Sequence, residues 1–139
     1  MKKIVVLIAL LLVATGHANA QQKAPYKVVI DVTSSDSLVH QMALRWVGEI
    51  TAADPKAQVE LVFYAGGVDM VTQGRSAVGR SLKKYAADAN VAFNVCEIAL
   101  KNKHIGKDQL LPGVGTVPDG IYEIVQRQYE GWGYIKAAR

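Results

Sequence analysis

The chain has 139 residues, half of them hydrophobic, and a formal net charge of +4. That is enough chain for one domain with its own core. No long basic run or basic–aromatic stripe is present, which argues against nucleic acid as a partner, and the single cysteine, Cys96, excludes a disulfide within the chain.

The first twenty residues read as a processing segment. Lys2 and Lys3 make a basic start, Ile4 to Ala14 an apolar stretch, and Ala18-Asn19-Ala20 a small-x-small site. This order predicts a secretory signal peptide cleaved between Ala20 and Gln21, and a periplasmic address. The apolar stretch is too short to cross a bilayer comfortably, so no stable membrane anchor is expected. Cleavage leaves about 119 residues and, with Lys2 and Lys3 gone, a net charge near +2.

Gln21 to Pro25 is polar and predicts a loose arm. Tyr26 to Val32 is nearly continuous apolar sequence, the mark of a strand covered on both faces. Thr33-Ser34-Ser35-Asp36 then offers caps for a helix. That helix carries Leu38, Val39, Met42, Ala43, Trp46, Val47 and Ile50 on one stripe, leaves His40 outside it, and ends at Asp54-Pro55. Val59 to Tyr64 predicts a second buried strand, closed by a turn at Gly66-Gly67. A second helix is expected to start between Met70 and Ser76 and run on to Ala89. Val91 to Val95 is the third strand, and Glu97 to Leu100 a short helix directly behind Cys96. A brief fourth strand is expected within Leu111 to Pro118, a last helix from Ile121 to a stop at Gly131, and a final strand over Trp132 to Lys136.

Strands alternating with helices predict an α/β sheet with helices on both faces. In such sheets chemistry gathers beyond the carboxyl ends of the strands. That edge should bring together Thr33 to Ser35, Ala65 to Val68, and Cys96. A thiol between a strand and a helix start faces free backbone N–H groups, which favour the thiolate. Ser34, Gly66, Gly67, Asn94 and His104 are candidate ligand-binding residues around it. Lys101, Lys103, His104 and Lys107 form a basic cluster that serves either an anionic ligand or the end of a helix. His40, His104 and Cys96 show no metal-ligand spacing, so no metal is expected. Neither Thr33-Ser34-Ser35 nor Gly113-Val114-Gly115 completes a phosphate- or dinucleotide-binding pattern, so no cofactor is expected.

Three segments resemble the DsrE/DsrF-like family. They are Val91 to Leu100 around Cys96, Val117-Pro118-Asp119-Gly120-Ile121, and Tyr129-Glu130-Gly131-Trp132-Gly133-Tyr134-Ile135. The order of elements from Tyr26 to Lys136 is similar as well. The resemblance implies a three-layer α/β/α fold on a mainly parallel five-stranded sheet, and a homo-oligomer, trimer or hexamer. It also implies that Cys96 matches the position at which family members carry sulfur as a cysteine persulfide, with a sulfur donor or acceptor protein as partner.

A lone cysteine suits direct transfer of a sulfane sulfur from thiol to thiol. It does not suit a dithiol oxidoreductase, which needs Cys-x-x-Cys. Two readings stand: a periplasmic sulfur carrier with Cys96 as acceptor, and a non-enzymatic oligomeric module binding a small ligand or protein, with Cys96 structural. The first requires a sulfur that a reagent can reach.

Overall fold

The computed structural model describes residues 25–139, so the expected signal peptide and its cleavage site lie outside the described residues. Five strands form one sheet: β1 (Lys27–Val32), β2 (Gln58–Phe63), β3 (Val91–Cys96), β4 (Val114–Val117) and β5 (Gly133–Ala137). Their order is β4-β3-β2-β1-β5, and every neighbouring pair is parallel. The helices are α1 (Ser37–Ala53), α2 (Gly79–Tyr85), α3 (Glu97–Asn102) and α4 (Gly120–Tyr129).

Each central strand is an apolar run because both of its faces are covered. Residues of one parity, among them Ile30, Leu61, Phe63 and Phe93, join Val39, Ala43, Val47, Leu82 and Leu100 in the larger core. Phe63 and Phe93 stack there, with ring centroids 6.3 Å apart. Residues of the other parity, Val29 and Val62, meet Ile124 of α4. Among the described residues, three helices therefore lie on one face and α4 alone covers the other, which completes the α/β/α layering.

Caps set the ends of the two long helices. Asp36 accepts the Leu38 N–H at 2.9 Å at the start of α1, and Asp54 N–H closes its end on the Ile50 carbonyl. Asp119 does the same for α4, accepting from Ile121 and Tyr122.

The second helix departs from expectation. A 3-10 turn over Ala65–Val71 buries Val68, Met70 and Val71, and Thr72 then bridges to Leu110. Gln73 Nε2 donates to the Leu110 carbonyl at 2.8 Å, and Gly74 turns at φ +74°. These apolar residues pack as a tied-down loop, so α2 begins only at Gly79 and stops at Tyr85. His40 also differs: it is buried, with Nε2 2.7 Å from the Ser34 carbonyl. That bond lets an imidazole lie within the apolar stripe of α1.

Candidate functional site

Cys96 ends β3 and is the N-cap residue of α3, where its side chain makes no capping hydrogen bond. It is only 5% exposed. It nevertheless forms part of the wall of a cavity of about 320 Å³, together with Tyr64, Ile98, Lys103, Asp119 and Ile121. The walls are mostly apolar, with Tyr64, Asn102, Lys103 and Asp119 as the polar residues beside Cys96.

Local packing explains how these residues come together. The β2–β3 register ends at Phe63↔Val95, so Tyr64 and Cys96 follow side by side. The first residue of α4 is Gly120. A Cβ there would stand 3.1 Å from the Cys96 Cβ and 3.5 Å from Tyr64 Cδ1. Glycine thus lets the start of α4 settle against both. Asp119 lines the cavity, while one of its carboxylate oxygens is engaged by the cap. Ala65, also on the wall, holds a left-handed backbone at φ 48°.

The electrostatics around the thiol are less one-sided than the strand-to-helix joint suggested. α3 is six residues long and opens with Glu97. That carboxylate turns away, to Lys107 Nζ and to Thr116 Oγ1 at 2.7 Å. Those two hydrogen bonds, Lys107 first, hold it below the usual carboxylate range. Lys107 is therefore an ion-pair partner of Glu97, Lys103 lies on the cavity wall, and Lys101 and His104 are exposed.

None of the other five candidate residues lines the cavity. Ser34 Oγ accepts from Asp36 N at 3.0 Å in the turn before α1. Gly66 and Gly67 lie against that same turn. A Cβ on Gly67 would collide with the Val32 carbonyl oxygen, and one on Gly66 would come within 2.7 Å of Ser35 N. Asn94 shares the sheet face of Cys96 but is engaged elsewhere, donating to Glu60 Oε1 at 2.7 Å. His104 sits in an exposed turn at φ 54°.

Three groups escaped the sequence reading: Tyr64, Asp31 and Glu60. The last two are charged residues inside apolar strand runs, a signal that was visible. Asp31 is 2% exposed; its Oδ2 accepts from Tyr134 Oη at 2.8 Å and Lys136 Nζ at 3.1 Å. Burial, and then Asp31, push the Tyr64 and Tyr134 hydroxyls up to about 12. Glu60 is fully buried and pairs with Arg127, which also reaches Glu123 and Glu130 and lies over the Trp132 ring.

The sequence matches the DsrE/DsrF-like family over residues 9–137, nearly the whole chain. The chain belongs to the DsrE/DsrF-like family. Among solved structures it is similar to a protein of unknown function, MTH1491, from Methanobacterium thermoautotrophicum. The TM-score is 0.75 at 29% identity, over 80% of this chain and 98% of that one. It also shares its fold with the ychN protein of E. coli, with a TM-score of 0.67 at 15% identity over 81% of this chain and 98% of that one. No curated protein matches the chain in sequence. The match makes the chain a member of a sulfur-relay-related family, with the α/β/α sheet fold that its sequence resembles. Among the described residues no cluster of His, Cys, Asp and Glu could hold a metal ion.

Proposed function

We propose that this DsrE/DsrF-like protein is a periplasmic carrier of sulfane sulfur, held as a persulfide on Cys96. The observation that carries the reading is the thiol on the wall of an open, apolar cavity at the carboxyl edge of the sheet. In the transfer step the Cys96 thiolate attacks the outer sulfur of a donor persulfide, R–S–SH. The donor's S–S bond breaks and R–S⁻ leaves with the electron pair, taking up the proton that Cys96 gave to solvent. Cys96 is left as Cys–S–SH, so sulfur moves without an external oxidant or reductant. The apolar walls keep water from the bound persulfide. The basic start, apolar stretch and small-residue site of the first twenty residues support export.

Treating the purified protein with a persulfide donor and weighing it tests the proposal. A gain of one sulfur atom that disappears in Cys96→Ser is expected; absence of any adduct at Cys96 in the wild type would sink it.

A second reading has its own support: the exposed face of α4 carries Ile121, Tyr122, Val125 and Tyr129. It makes the chain a homo-oligomeric binding module, trimer or hexamer, with Cys96 as packing. Native protein that resists thiol reagents, and keeps its binding partners in Cys96→Ala, would favour it.

A further inference from the structure

Asp31 Oδ1 is buried without a hydrogen-bond partner, although Oδ2 has two. An orphaned buried carboxylate oxygen is costly, and native structures leave few of them. A donor is therefore missing beside it. The strand registers bring a tyrosine to the same face. Lys136, Asp31, Val62 and Asn94 form one cross-strand row. Two residues further on, and on the same face, come Tyr64 and Cys96. The α4 start touches both through Gly120, and both line the same cavity.

We propose that the Tyr64 hydroxyl is the hydrogen-bond partner of the Cys96 sulfur, and that the buried Asp31 carboxylate is the positioning residue that holds Tyr64 ready. While the thiol is neutral the hydroxyl stays under the influence of the Asp31 carboxylate. When the sulfur becomes an anion the hydroxyl turns to it. Tyr64 keeps its proton throughout, because burial and Asp31 hold the phenol up at about 12. The thiol proton leaves through the cavity mouth to water. This inference rests on the reading that Cys96 reacts as a thiolate.

Other titratable groups on the neighbouring elements are accounted for. β5 contributes Tyr134 and Lys136, both bound to Asp31. α4 contributes Asp119, engaged by the cap, and the turn after α3 contributes Lys103. Glu97 of α3 is turned away to Lys107 and Thr116.

The test is the rate of iodoacetamide alkylation of Cys96 in the full chain, followed by mass from about pH 5 to about pH 10. In Tyr64→Phe the half-maximal pH should move up, and alkylation at neutral pH should slow roughly three- to tenfold. In Asp31→Asn the half-maximal pH should move down, since a negative charge has gone. A Tyr64→Phe profile that superimposes on the wild type, or no alkylation at any pH, overturns the proposal. Should Asp31→Asn fail to fold, tyrosinate absorbance supplies a second readout. Cys96→Ser should lower the pH at which one tyrosine ionises, and an unchanged titration counts against the coupling. The two ideas fail separately. A sulfur adduct with no Tyr64 effect removes this inference and leaves the carrier; a Tyr64-dependent profile without a sulfur adduct does the reverse.

Discussion

One glycine shows how tightly the carboxyl edge is built. Gly67 passes so close to the Val32 carbonyl that no side chain fits there. Gly67→Ala should lower stability by about 1–3 kcal/mol through overpacking, read as a fall in the urea midpoint with an unchanged slope. A midpoint equal to the wild type would mean that the turn before α1 yields freely. Glu123 tests electrostatics. Burial, followed by the charge of Glu60, raises its carboxyl above the ordinary value, and Arg127 only partly offsets them. An acid raised in the folded state contributes stability below its unfolded value, lost as pH rises through the folded one. Glu123→Gln should therefore be more stable than wild type near pH 7. The advantage should shrink and vanish as pH falls below about 4.3, where both side chains are neutral. A variant less stable at neutral pH would show that the bond to Arg127 dominates.

Among the described elements, α4 alone covers its face of the sheet. Its hold on β2 passes through Arg127 and the buried Glu60. Removing one partner of a buried pair strands the other charge, so Arg127→Met should cost about 3–5 kcal/mol in urea unfolding. A loss of only a few tenths would mean that Asn94 suffices for Glu60. The strands were legible in the sequence because covering both faces demands nearly continuous apolar runs, as in Val28 to Val32 and Val59 to Phe63. Asp31 and Glu60 interrupt those same runs, and their partners, Tyr134 and Arg127, lie 103 and 67 residues away. No local pattern names such a partner. The start of the second helix, expected between Met70 and Ser76, falls at Gly79 for a related reason: a buried 3-10 turn and the start of a helix present the same short apolar clusters. Cys96 and its joint were legible; the cavity was not, because Tyr64 and Ile121 reach it only through strand register and the seat of Gly120.

At the scale of the molecule, the apolar face of α4 sets a quantitative expectation. Ile121, Val125 and Tyr129 repeat every fourth residue and are 62%, 42% and 85% exposed, with Ile98 close to the same cavity and 50% exposed. A stripe of this kind at the surface marks an interaction site. For the homo-oligomer proposed above, sedimentation of the wild type should give a mass several times that of one chain, and Tyr129→Asp should reduce it. A wild-type monomer at micromolar concentration would remove this use of the face.

The one-way sheet has a practical consequence. All five strands run in the same direction, so the chain enters at Lys27 on the edge farthest from the thiol, about 20 Å away at the rise of a six-residue strand. A bead, dye or affinity handle coupled ahead of Pro25 therefore leaves the mouth beside Cys96 clear. The same handle fused behind Ala137 stands on the edge that carries Cys96.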